Sequence, residues 1–338
     1  MEETSLRQGR DAFSRWGILL LIWAIVLGEA SLPRPSGGST PWLLLFTVLG
    51  LTGVTGLSAV KPSFLERMAR WIYVIPVSLG FWTILYSPTV RGVTVYTQFI
   101  LMLYPVAFAL VLCNKHGTGL NGFVTSLIAA AFPIGVAVLS GSWASLVAIV
   151  VTEWAVLKLA VLKNWFEVKP ATQRNLLWGM LAGIFVLAVL FCIFGGGTFL
   201  NEVLAEGTSS PYYAEGLGNL VGWNAASLLL NGGRVIVLLW SVAAVASLNS
   251  TPGQLTGMAF LLTVGFQVLF RFAAVLGAPL FYAHSPQMAY CIDKVITLCL
   301  WGVFLSVLQR KNDSTPVEGW EPKGALARFI YSCEKEDA

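Results

Sequence analysis

Charge is what this sequence has least of. Only 11% of its 338 residues are Asp, Glu, Lys or Arg, less than half of the ~25% carried by an ordinary soluble domain. So few charges cannot wet a surface of that size, which excludes a water-soluble globule and leaves lipid as the solvent for much of the chain. Histidine is scarcer still: His116 and His284 are the two present, too few and too far apart for an ordinary metal cluster. The five cysteines have no paired spacing, and most lie inside apolar runs, which argues against a disulfide framework or a zinc site. There is no phosphate-binding glycine loop, no His-Glu-x-x-His helix and no Gly-x-Ser-x-Gly elbow. Repeated basic faces are also missing, so nucleic acid is not an expected partner. The sequence calls for no cofactor, although a divalent cation is compatible with it.

Long apolar runs are what it does have. Residues of the apolar set make up 56% of the chain, and mean hydropathy is +0.74. About 20 consecutive apolar residues suffice for a helix to cross a ~30 Å hydrocarbon core. Ten such stretches are read at Trp16–Leu27, Pro41–Val60, Ala69–Tyr86, Val95–Cys113, Leu120–Leu139, Ser142–Leu162, Leu176–Phe194, Leu220–Leu248, Thr256–Leu276 and Met288–Leu308. The eighth contains Asn231-Gly232-Gly233 and is expected to kink there or to lie partly outside the lipid. No small-residue cleavage site follows the first run, so it reads as a span and not as a removed signal. The fold class expected is therefore all-α: a polytopic helical bundle of about ten membrane helices. It forms one transmembrane domain over residues 1–308, with a short polar tail over 309–338.

The cations fix its direction. Arg7, Arg10, Arg15, Lys61, Arg67, Arg70, Lys115, Lys163, Lys169, Arg174, Arg310, Lys311, Lys323, Arg328 and Lys335 all fall on one set of connections, while the opposite set holds only Arg34 and Arg91. Basic residues stay on the cytoplasmic side. Both termini are accordingly placed there, which also requires an even number of crossings.

Two groups of residues are candidates for chemistry. The connection from Gly195 to Gly218 is the longest one assigned to the outside, and it contains Glu202 and Glu206, with Glu215 close to its end, and no Lys or Arg. Carboxylates on such a loop could supply a general base, or the loop could simply be solvated and free of cations for topological reasons. The second group lies within spans, where each charge costs a few kcal/mol on insertion scales. Lys158, near the inner end of its helix, is expected to snorkel. Glu153 falls near the midplane and is matched with Arg234 as an interhelical pair. Arg271 and Asp293 lie at equal depth on consecutive antiparallel helices and are expected to touch. A structural ion pair and a functional one are both open for each. Thr52-Gly53 and Thr55-Gly56 read as helix-packing surfaces.

The order of these features resembles the SEDS family (shape, elongation, division and sporulation) of bacterial envelope proteins. The clearest stretch is the end: Phe266-Gln267-Val268, Val275-Leu276-Gly277-Ala278-Pro279, Ser285-Pro286, and then Gly302 through Lys311, which resembles the family's closing Gly-Leu-Leu-Leu-Ser-Val-basic run. Gly218-Asn219-Leu220-Val221-Gly222 is similar to the family's Gly-Glu-Glu-Leu-Gly before span eight. Arg91 with Gln98 stands where the family has an Arg-Trp and a Gln-Pro-Ser-Glu segment, and Phe64 to Tyr73 resembles its basic turn before span three. The resemblance implies ten spans, a large outer loop between the seventh and eighth, and a place in the bacterial inner membrane. It further implies a lipid-linked disaccharide-peptide substrate that is polymerised in peptidoglycan synthesis during cell division or shape maintenance, with a single-span transpeptidase as partner. The family's Thr-Asp-Phe aligns with Ser210-Pro211-Tyr212, so its polymerising Asp is replaced by Pro211. Glu206, Glu215 or Glu202 would then serve as base, with Arg91, Arg271 and Asp293 at the substrate. The same layout also accommodates a non-catalytic scaffold. A flippase for the lipid-linked precursor, or another multi-pass transporter, is the alternative drawn from the buried charges, and a glycan ligase of similar layout is a third.

Overall fold

The computed structural model of the chain describes residues 15–28, 40–86, 103–139, 143–194, 225–248, 250–275 and 291–311. Among these there are eleven α-helices and no strand: α1 Arg15–Gly28, α2 Thr40–Ala59, α3 Pro62–Arg67, α4 Ala69–Tyr86, α5 Leu103–Cys113, α6 Gly119–Leu139, α7 Trp143–Leu162, α8 Pro170–Phe194, α9 Ala225–Ala246, α10 Thr251–Val275 and α11 Cys291–Val307, the last closed by a 3₁₀ turn at Leu308–Lys311. Every one of the ten expected spans has its helix. In the eighth, α9 is continuous helix through Asn231-Gly232-Gly233, and residues 220–224 lie outside the described residues. The short α3 is the added element.

Proline sets many of these starts. Pro41, Pro62, Pro105, Pro170 and Pro252 sit in the first turns of α2, α3, α5, α8 and α10, where the missing N–H has no helical acceptor to leave unpaired. Between α5 and α6 the chain turns through Gly117 and Gly119 at φ of 63° and 67°, a region in which a side chain is strained.

The apolar side chains do not hide. Leu162 and Phe185 are 72% and 70% exposed, and Leu20, Trp71, Val48, Ile128 and Leu239 also face outward. Hydrophobic residues on both the inner and outer faces of helix after helix are the mark of a lipid-solvated bundle. By length and composition alone, Gly119–Ala137 is sufficient to cross a membrane, and Arg15–Gly28, Leu44–Ala59, Leu103–Cys113, Gly232–Ala246 and Val295–Val307 are shorter apolar helices.

Two large packing centres dominate the interior among the described residues, with a smaller cluster around Tyr104, Ile134 and Ile149 adjoining the second. The first gathers α1, α2, α9, α10 and α11 around Ile18, Ile22, Val54, Val237, Phe260 and Phe304. Its tightest seam joins α2 to α11. A Cβ on Gly302 would lie 2.9 Å from the carbonyl oxygen of Val54 and 2.7 Å from the Cβ of Leu57, and Gly50 and Gly53 face Leu298 and Cys299. Further along, Ser306 donates to the Val60 carbonyl at 2.6 Å and Gln309 to that of Ser58. Residue numbers rise together on both helices, so they run parallel. Alternating crossings make the second and tenth spans parallel, and this contact agrees with that. The second centre joins α4 to α8, with α5 and the start of α10, around Tyr73, Phe108, Phe123, Leu157 and Phe166.

The basic turns meet at one end. Gly117 and Gly119 donate through their amides to the Trp165 and Phe166 carbonyls at 3.0 and 3.1 Å. Trp165 donates to the Leu112 carbonyl at 2.9 Å, and Asn114 to that of Glu66 at 2.7 Å. Connections carrying Lys61, Arg67, Lys115, Lys163 and Lys169 therefore form one continuous cap, as the charge asymmetry requires.

Candidate functional site

The interior of the second centre is where polar chemistry is concentrated. Two helices there contain an internal proline, Pro76 in α4 and Pro133 in α6. A proline has no N–H, so the carbonyl four residues earlier loses its helical donor. For Pro133 that carbonyl belongs to Ala129, and the Tyr73 hydroxyl of α4 donates to it across the helix interface. In a membrane interior such a freed carbonyl must find a partner from a neighbouring helix. Tyr104 of α5, fully buried, donates to the carbonyl of Pro76 at 2.5 Å and fills the notch at Gly80, where a Cβ would lie 2.5 Å from its hydroxyl oxygen.

Glu153 of α7 lies within electrostatic reach of Tyr73. It is 0% exposed, and neither carboxylate oxygen accepts a hydrogen bond among the described residues. The expected partnership with Arg234 is therefore not made as a hydrogen-bonded pair. The reason is the distribution of helices: Arg234 is on α9, which packs on α10 in the first centre, whereas Glu153 is on α7, whose Trp154, Val156 and Leu157 pack in the second. Arg234 has an interaction of its own. The Lys158 ammonium lies 4.9 Å from the Trp154 ring centroid, one turn back along α7 and not extended toward its inner end as a snorkelling side chain would be.

Most of the other candidates lie outside the described residues. Arg91, Glu202, Glu206 and Glu215 fall in segments 87–102 and 195–224, and Pro211 falls there with them. Arg271 is on α10 and Asp293 on α11, two helices that pack together, but their side chains are not among those described. Sequence reasoning singled out Glu153 because it is ionisable in a greasy run. It missed Tyr73 and Tyr104. For Tyr73 the available signal was Pro133 inside an apolar run, which predicts an orphan carbonyl at Ala129 and hence a donor from elsewhere. Tyr104 bonds the carbonyl of Pro76 itself and had no such signal.

At the basic end, His116 packs edge-on against Trp165 with ring centroids 4.3 Å apart. Burial lowers its affinity for a proton below the ordinary imidazole value, and the nearby Glu167 carboxylate partly offsets that. Among the described residues no group of three or more His, Cys, Asp or Glu side chains is placed to hold a metal ion.

No family model and no curated protein sequence matches the chain. Solved structures do. One is a peptidoglycan synthase complex, described for its structural coordination of polymerization and crosslinking, which matches at 18% identity over 88% of this chain and 98% of its own, with a TM-score of 0.55. The rod shape determining protein RodA of Thermus thermophilus matches at 18% identity over 88% and 97%, with a TM-score of 0.52. A point mutant of the same protein matches at 17% over 89% and 97%, with a TM-score of 0.51. The fold of this chain is the multi-pass helical fold of those proteins.

Proposed function

We propose that this chain is a SEDS-like membrane protein of bacterial peptidoglycan synthesis, acting in the inner membrane with both termini in the cytoplasm. The observation that carries the reading is the likeness to RodA and to a peptidoglycan synthase complex over nearly the whole of each chain, in the helix order that the resemblance implies. Its substrate is a lipid-linked disaccharide-peptide. A partner transpeptidase with a single membrane span works on the product, in keeping with the complex to which the fold is similar.

Glycan polymerisation needs an external base for the acceptor hydroxyl and cations for the pyrophosphate that leaves. With Pro211 in place of the family's Asp, the base is Glu206 or Glu215, with Glu202 as the remaining carboxylate. Arg91 and Arg271 hold the pyrophosphate, and Asp293 positions Arg271. Activity is tested with full-length protein, its transpeptidase partner and lipid-linked precursor in vesicles. The expected result is polymer on a gel, abolished by Glu206→Gln or Glu215→Gln. If no polymer forms where a control polymerase succeeds, the chain is a non-catalytic scaffold of the same fold.

A further inference from the structure

The base and cations named above leave Glu153 without a role, and its surroundings are unusual. The carboxyl is wholly buried and both of its oxygens lack a hydrogen-bond partner among the described residues. Among the described residues, the elements around it place no cation against it. α6 carries no titratable side chain. α8 carries Arg174, which is exposed near its start, and α10 carries only Arg271, near its far end. On α7 itself Lys158 points outward over Trp154. From α4 comes Tyr73, whose hydroxyl proton is already donated to the Ala129 carbonyl, with Tyr104 of α5 behind it donating to Pro76. An ionised carboxylate removed from water, from cations and from hydrogen-bond donors together is among the most expensive arrangements a protein interior can hold. Adding a proton removes the charge and demands no extra room.

We propose that Glu153 is an internal proton-binding site: its side chain is held as the neutral acid while α7 is packed against Tyr73, α6 and α10, and it exchanges that proton with water only when the packing opens. The ligand is a hydrogen ion, taken up by one carboxylate oxygen on closing and returned to water on opening. Any motion that separates α7 from its neighbours is thereby coupled to proton release. The proposal is independent of the polymerase reading, because it uses none of the same residues.

The test is infrared spectroscopy of full-length protein in lipid, with glutamate labelled by carbon-13. At a pH of about 8, far above the ~4.3 of an ordinary glutamate, water-exposed glutamates are ionised and contribute no acid carbonyl band. A labelled neutral-acid band is expected in the wild type, and it should disappear in Glu153→Gln. Absence of the band from folded wild-type protein overturns the proposal without recourse to any variant. So does a band that survives the substitution. If Glu153→Gln does not fold, Glu153→Asp removes the same labelled carbonyl while keeping an acid, and must abolish the band as well.

Discussion

The two packing centres solve the membrane problem in opposite ways. Around α2 and α11 the solution is close approach: glycines let backbones come together, and Phe260 stacks on Phe304 with centroids 4.4 Å apart while Trp301 meets the Phe260 ring edge-on at 4.7 Å. Hydroxyls there mostly return to their own helix, as Ser241 does to the Val237 carbonyl. Around α4 to α8 two helices contain an internal proline; Tyr73 completes the carbonyl that Pro133 frees, and Tyr104 adds a second cross-helix bond at the carbonyl of Pro76. Lipid offers no hydrophobic drive for one greasy helix to prefer another. Shape holds the middle of the first centre together, with cross-helix hydrogen bonds from Ser306 and Gln309 at one end of its seam, whereas in the second centre such bonds lie at the prolines inside the helices. A shape-locked region tolerates little change, whereas a region closed by single hydrogen bonds and containing an unpaired carboxyl has more than one way to repack.

The strongest blow to that contrast is a side chain at the glycine seam. Gly302→Val should separate α11 from α2, because the added Cβ meets the backbone oxygen of Val54, which cannot rotate away. Overpacking costs about 1–3 kcal/mol where neighbours yield, and more is expected here. The expected readout is loss of the monodisperse peak in detergent chromatography. Gly56→Ala, with open space around its Cβ, should leave the peak unchanged; if both variants behave alike, close approach is not what holds the seam.

A smaller effect probes the other centre. Tyr73→Phe removes the donor to Ala129 and should cost about 1 kcal/mol, in keeping with hydrogen bonds between membrane helices. Pro133→Ala returns a backbone N–H to that carbonyl, so the double variant should recover most of the loss. Thermal unfolding of the four proteins in detergent measures the cycle, and additivity of the two changes would break the proposed division of labour between the tyrosine and the proline.

The smallest effect lies at the basic end. The folded His116 binds its proton less readily than an unfolded histidine of pKa ~6.5, and burial is the chief cause. Its contribution to stability is therefore intact above that value and fades as pH falls below it, since the unfolded chain then takes up the proton first. A modest drop in melting temperature is expected on acidification from pH ~7 to ~5. His116→Gln should flatten that part of the profile, and Glu167→Gln should steepen it.

Much of the architecture was legible in the residues. Apolar run length and the sidedness of Lys and Arg depend on transfer from water to lipid, a property of each segment taken alone. The spans at Ala69–Tyr86 and Leu120–Leu139 consequently fell where α4 and α6 are found. Boundaries moved where no such transfer decides: α8 starts at Pro170 and α10 at Thr251, because a helix continues through the polar interface on its own hydrogen bonds. The six residues of α3 are too few to carry a period. Thr52-Gly53 and Thr55-Gly56 read as packing surfaces, and Gly53 does face Cys299, but Gly56 faces open space and Gly50, which that reading does not include, meets Leu298.

By itself, then, the sequence determined that the chain lives in lipid, that it crosses many times as helices, and which ends of its helices gather the cations, because each of these is a sum over local transfer energies. Only the tertiary structure decided which helices share a core. That choice seats the Gly302 seam against Val54, places Tyr73 on the carbonyl freed by Pro133, and leaves Glu153 without Arg234, since a contact between distant segments depends on shapes that no single segment contains.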